Sequence, residues 1–230
     1  HLLPAHLMAS FSPFFSQAGH TLSHSEQAQR EREWSQKVRV VAASQPLLPP
    51  VIQEGVFDAV SEALYYNRWL NIDYSNAHGT RRQVEVMPLG LAQQGSRLYL
   101  VCRFKGYDNE RSLALNRITS AVCSTFHFSR PTDFNLKRYD DDGRFGFGEG
   151  RHIRIHITLE TARAQLLLES PLSSDQQVSE LDDGRLRFSA TVVDSPMLDG
   201  FLATFGNTIS NIKRDLDDVS TEQENNDEYR

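Results

Sequence analysis

Cysteine is almost missing from this chain: Cys102 and Cys123 are the only two in 230 residues, and no CxxC pair occurs. That excludes a fold stapled by disulfides and a zinc ribbon, both of which need clustered thiols. Long apolar runs are missing too. No stretch approaches the ~20 consecutive apolar residues of a bilayer-crossing helix, and no basic segment leads into an apolar one at the start. A reducing cytoplasm is the expected setting. Catalytic signatures are also absent, with no GxSxG, HExxH or GxxxxGK[ST], and no GxGxxG opening a helix. No enzymatic role and no cofactor are expected.

The charge is concentrated at one end. The formal net charge is -6, but Asp215 to Arg230 holds seven acidic residues against Arg230 alone, leaving 23 basic against 23 acidic elsewhere. Residues 215–230 have no apolar periodicity and read as an acidic, disordered tail. From Asp58 to Phe128 eight Lys and Arg face six Asp and Glu, a mild basic excess that permits an anionic ligand without requiring one.

The chain opens on His1 in mid-pattern, which sets the expectation of a piece of something longer. Residues 1–50 read as a helical connector. Leu7, Met8, Phe11, Phe14 and Phe15 recur at roughly helical spacing, and their apolar surface is expected to make a two-fold dimer interface. Lys37 to Val41 alternates as a short strand before the Pro46, Pro49 and Pro50 linker. Residues 51–128 open with a helix on Val56, Val60, Ala63 and Leu64. Five short strands follow, over Trp69–Ser75, Gln83–Leu91, Arg97–Phe104, Arg111–Leu115 and Ile118–Phe126. Closure into a small barrel would remove their exposed edges. Residues 129–150, rich in glycine, read as a linker. Residues 151–214 follow the order βαββαβ, a ferredoxin-like split arrangement. The fold class is α+β.

Two motifs carry little. His152 and His156 share one face of a strand, but no acidic or thiol partner accompanies them, so a metal is not expected. The run from Gly143 to Gly150 has the glycines of a phosphate loop without the strand-to-helix setting.

The informative stretch is Arg81 to Ile118, where Arg82, Arg97, Arg103, Arg111 and Arg117 interleave with Tyr74, Tyr99 and Tyr107. Arginine forks match phosphates and tyrosine faces stack bases. Alternation places Arg97, Tyr99 and Arg103 on one face of their strand, although Tyr99 also suits a core position with a satisfied hydroxyl.

Met87-Pro88-Leu89-Gly90-Leu91, then Gly95-Ser96-Arg97-Leu98-Tyr99-Leu100-Val101, then Arg111-Ser112-Leu113-Ala114-Leu115-Asn116-Arg117-Ile118 resemble the WYL domain of bacterial transcriptional regulators. Leu98 stands where that family has Trp, Leu113 where it has Phe, and Asn116 where it has Asp. The resemblance implies an Sm- or SH3-like barrel, with residues 151–214 similar to the family's C-terminal extension. It also implies a ligand-sensing, dimerising part of a transcription regulator, acting on DNA through a winged helix-turn-helix missing from this sequence. The effector would be a nucleotide or single-stranded oligonucleotide, with Arg97, Arg103, Arg111 and Arg117 on its phosphates and Tyr74 and Tyr99 beside them. The alternative is a structural dimerisation or protein-docking module with no nucleotide ligand.

Overall fold

The structure, a computed structural model, describes residues 47–216 together with Lys37 and Gln45. The expected dimer helices around Leu7 to Phe15 and residues 217–230 lie outside the described residues. So does the strand expected at Lys37 to Val41, except Lys37, which is helical and not extended. The chain divides between Phe134 and Asn135 into two compact units. The secondary structure is mixed, with one antiparallel sheet in each unit. No helix among the described residues is long and apolar enough to cross a membrane.

The first unit starts with helix α1 (Val56–Tyr66). Gly55 at φ 77° stops it from starting earlier, and Asn67 at φ 51° ends it, returning its N–H to Ala63. Val56, Val60 and Ala63 are buried along one stripe, the spacing that an apolar helical face requires. Strands β1 (Arg68–Ser75), β2 (Arg81–Gln94), β3 (Arg97–Phe104), β4 (Glu110–Ala114) and β5 (Ile118–His127) follow, with a 3-10 turn, Leu115–Arg117, between β4 and β5. Alternate residues Leu70 and Ile72 of β1, Leu100 and Cys102 of β3, and Ile118 of β5 pack with the helix stripe in one core.

The strand order is β4-β3-β2-β1-β5, and no ladder joins β4 to β5. The expected closure of the barrel is therefore not found: β4 and β5 follow one another through the turn instead of lying side by side. β2 is longer than the pattern suggested because it serves two partners in succession. Arg81 to Val86 pair with β1 and Val86 to Gln94 with β3. Pro88 falls beyond the β1 ladder, beside a register shift between Pro88 and Gly90. That is where a strand tolerates a residue with no N–H to donate.

The second unit runs α2 (Leu136–Asp141), β6 (His152–Leu159), α3 (Thr161–Glu169), β7 (Gln177–Glu180), β8 (Leu186–Val193), α4 (Pro196–Ala203) and β9 (Ile209–Leu216). Its sheet order is β7-β8-β6-β9, antiparallel throughout. Ile153, Ile155, Ile157 and Leu159 alternate onto the face that Ala164, Leu167, Leu198 and Leu202 cover, with Phe188 and Ala190 beside them. Ser195 accepts from the Leu198 N–H at 3.2 Å, and Pro196 opens α4, the pairing expected of a helix start.

Two boundaries differ from the pattern. β9 continues through Asp215 to Leu216, past the point where charge alone begins the acidic tail. The glycine-rich run from Gly143 is folded onto the second unit and is not an open connector. A Cβ on Gly143 would stand 2.8 Å from Val193 Cγ1, and one on Gly146 2.9 Å from Met197 Cβ. These glycines are needed for close approach to the neighbouring side chains.

Candidate ligand-binding site

The hairpin between β1 and β2 fixes the first part of the site. Asn76 Oδ1 accepts from the N–H groups of His78 and Thr80, each at 2.9 Å. The turn thereby locks the register that sets Tyr74 opposite Arg82. On its other side Tyr74 faces Ile118, the first residue of β5. Tyr74 is half-buried against the core, whereas Arg82 is exposed.

The second part comes from β3. Tyr99 lies between Ala92 of β2 and Ala114 of β4, and Arg97 precedes it on the same face, opposite Gln94. The Leu115–Arg117 turn leaves β4 beside Tyr99, packs on β3 and enters β5 beside Tyr74. Arg117 therefore ends a turn with one candidate tyrosine at its entrance and the other at its exit. Leu115 and Ile118 are fully buried on either side of it, which anchors the turn. Among the described residues Arg81, Arg82, Arg97 and Arg117 have no acidic partner. Asn116 adds an acceptor in the same turn: its Oδ1 is buried without a hydrogen-bond partner among the described residues. A buried carbonyl oxygen in that state favours any ligand that brings a donor.

The other two candidate arginines are placed differently. Arg103 donates from Nε and Nη2 to Glu110 Oε1 at 2.9 and 2.5 Å, and from Nη2 to Asp133 at 2.9 Å. Burial disfavours its charge, but the two carboxylates outweigh burial and raise its pKa, and Asp133 is lowered in return by the bond from Arg103. Arg111 pairs with Cys102 across the β3–β4 ladder, so it lies on the core side of the sheet, opposite to Arg103. Its guanidinium sits 4.4 Å from the centre of the Phe104 ring and 5.3 Å from that of Tyr107. The four arginines thus do not converge on one face. Along the backbone the 3-10 turn that carries Arg117 runs from beside Tyr99 to beside Tyr74. Tyr74 packs on the core side of the sheet, and Arg97 and Tyr99 alternate onto the other side, while Arg103 and Arg111 are engaged by the protein itself.

Sequence reasoning passed over Arg82 and Asn116 as site residues. The Asn76 to Thr80 turn signal, counted outward, would have set Tyr74 against Arg82. Nothing in the pattern marks Asn116 as buried and unpaired.

A groove of about 390 Å³ on the β1, β2 and β5 surface is lined by Asn71, Asp73, Gln83, Glu85, Ser120 and Val122. Its ionisable lining is acidic, with Lys105 bonded to Glu85 at its margin. It is electrostatically unsuited to phosphate.

Residues 55–123 match the family model of the WYL domain. This part of the first unit is similar to the WYL domain. The match ends inside β5 and takes in α1, the Pro88 strand and the turn that carries Arg117. Two solved structures share features of the chain. One is proteasome accessory factor B/C (PafBC) of Arthrobacter aurescens, at 22% identity and a TM-score of 0.36, over 75% of this chain and 27% of that one. The other is a CRISPR Cas-related protein, at 14% identity and a TM-score of 0.45, over 76% of this chain and 52% of that one. This chain therefore spans less than two thirds of either. No curated protein matches the sequence.

Proposed function

We propose that the chain is the effector-sensing part of a DNA-binding transcription regulator, in which the WYL domain binds the phosphate of a nucleotide or single-stranded oligonucleotide. What supports this reading is the 3-10 turn, whose Arg117 stands in the chain between the positions that pair with Tyr99 and with Tyr74 and has no acidic partner among the described residues. Arg82 and Arg97 supply further phosphate contacts, and the two tyrosines supply ring faces for bases. In this reading the first unit is an open variant of an Sm- or SH3-like barrel and the second is ferredoxin-like. Residues 1–50 join two copies, and DNA is read by a winged helix-turn-helix outside these 230 residues. The protein works in the cytoplasm and has no catalytic task. Effector binding controls the regulator only if it favours one of two dimer arrangements.

The test is fluorescence anisotropy of labelled single strands at two salt concentrations. Saturable binding that weakens with salt, and weakens further in Arg117→Ala, is expected. Binding with no salt slope overturns the reading.

Val122 and Phe126, 60% and 72% exposed on the edge strand β5, favour a second reading, a protein-docking module without a nucleotide. The ratio of absorbance at 260 and 280 nm of the purified protein separates the two, since copurified nucleic acid raises it.

A further inference from the structure

We propose that the open face of the second sheet carries a phosphate-binding site built on Thr158, Arg187, Asn211 and Lys213. The site is independent of the WYL domain and would bind inorganic phosphate or the phosphate of a small phosphomonoester.

Both helices α3 and α4 pack on one side of the β7-β8-β6-β9 sheet, which leaves the other side to polar residues. The register sets Thr158 opposite Arg187 on β8, and His156 opposite Ser189 on β8 and Lys213 on β9. Between Lys213 and Ser210 the β6–β9 ladder slips. Asn211 takes the left-handed conformation there, at φ 53°, as expected of a bulge that re-aims side chains. The slip accompanies a groove of about 390 Å³ lined by Thr158, Arg187, Asn211 and Lys213 together with His156 and Asp215.

Thr158 points to a ligand independently of the cations. It is only 1% exposed, yet its hydroxyl has no hydrogen-bond partner among the described residues. A buried hydroxyl in a folded protein almost always has one. Thr158 is among the residues that line the groove, and in the proposed complex its hydroxyl donates to the bound oxyanion.

The charges around it are already sorted. Arg154, on the same face, is taken by Asp175 and by Ser189 Oγ at 2.9 Å. Asp215 lies 3.3 Å from His156 Nε2. Arg187 and Lys213 remain as cations without an acidic partner among the described residues, and the Asn211 amide is an additional donor. Two cations, a hydroxyl and an amide suit a tetrahedral oxyanion with several acceptors. No Phe, Tyr or Trp lies on this side of the described strands, so the site has no ring on which to stack a base. The phosphate is what it recognises.

The test uses the full chain labelled with ¹⁵N, titrated with inorganic phosphate and separately with glycerol phosphate while amide shifts are followed. Saturable shifts at Thr158, Asn211 and Lys213 are expected. Arg187→Gln and Lys213→Gln, both at exposed positions, should each weaken the response about tenfold or more, the scale of a lost charge-assisted hydrogen bond. Thr158→Val should weaken it as well without loss of the folded spectrum. Tighter binding of glycerol phosphate identifies a phosphomonoester ligand, and equal or tighter binding of the free ion identifies phosphate itself. Unsaturable shifts spread over all exposed cations, or unchanged affinity in both Gln variants, would overturn the proposal. Arg117→Ala should leave these shifts intact, so failure here and failure of the WYL reading are distinguishable.

Discussion

Arg103 and Asp133, thirty positions apart, meet at 2.9 Å, and the same guanidinium nitrogen also reaches Glu110 at 2.5 Å. One arginine thereby ties the β3–β4 hairpin to the segment that closes the first unit, where Arg130 adds a bond to the Leu89 carbonyl. Its side chain is 14% exposed, so water cannot readily replace the carboxylates.

Arg103→Ala should accordingly destabilise the fold by about 1 to 3 kcal/mol, the range for losing hydrogen bonds between charged groups. Asp133→Ala should cost less, because that carboxylate is 69% exposed and screened by solvent. Urea unfolding of the two variants checks the order. Neither should change the salt slope of oligonucleotide binding.

The two thiols should react in sequence. Cys102 is fully buried in the first core, and burial pushes its thiol up to about 12, with Arg111 opposing only in part. Cys123 is only partly buried, and burial raises its thiol too. The thiolate is the reacting species, so alkylation of the native protein near neutral pH should label Cys123 slowly and Cys102 only after unfolding. Mass spectrometry of digested protein reads this directly. Early labelling of Cys102 would contradict its place in the core.

The α+β class and the order of strands and helices were legible because period-2 and period-3.6 patterns alternate on either side of the glycine-rich stretch, from Val56 to Phe126 and from Ile153 to Lys213. Two other features were not. Whether β4 and β5 pair depends on the direction in which the Leu115–Arg117 turn sends the chain, and each strand has the same local pattern whether it closes a barrel or stands as an edge. The fate of each arginine depends on partners distant in sequence. Arg103 and Arg97 share parity on β3, but only Arg103 has Glu110 across the ladder and Asp133 above it. Arg111 shares its face with Cys102, a fact set by the β3–β4 register that the segment from Gly106 to Asn109 decides. Alternation alone identifies a face within one strand and says nothing about the face of its neighbour.

The second unit should show an acid-sensitive contribution from Asp175. Its carboxylate accepts from Ser173 Oγ, from Thr191 Oγ1 at 2.6 Å and Thr191 N–H at 3.1 Å, and from Arg154. These bonds, the hydroxyls first, hold its pKa well below the usual carboxylate range. A carboxylate depressed in the folded state stabilises it above the unfolded pKa, and that stabilisation is lost as pH falls below it. Wild type should therefore exceed Asp175→Asn in thermal stability at pH 7, and the gap should narrow below roughly pH 4, near the unfolded value of an aspartate. A gap independent of pH would mean that the charge of Asp175 is not what the four donors stabilise.

Arg111 and Arg117, six positions apart, should separate into a structural and a binding role. Arg111 lies on the core side of the sheet with its guanidinium over the Phe104 and Tyr107 rings. Arg111→Ala should remove about 0.5 to 1 kcal/mol of stability, the worth of a partly exposed cation–ring contact, and leave the salt dependence of binding unchanged. Arg117 ends the turn between Tyr99 and Tyr74 with no acidic partner among the described residues, so its charge is available to a ligand. Arg117→Ala should weaken single-strand binding by about 1.5 to 3 kcal/mol. It should also reduce the slope of log K against log salt by ~0.7, the share of one neutralised phosphate on a single strand. Measuring both variants at two salt concentrations, beside their unfolding curves, reads the two roles in one series. A loss of salt slope in Arg111→Ala with none in Arg117→Ala would move the phosphate contact to Arg111 on the core side of β4 and overturn the site around the turn.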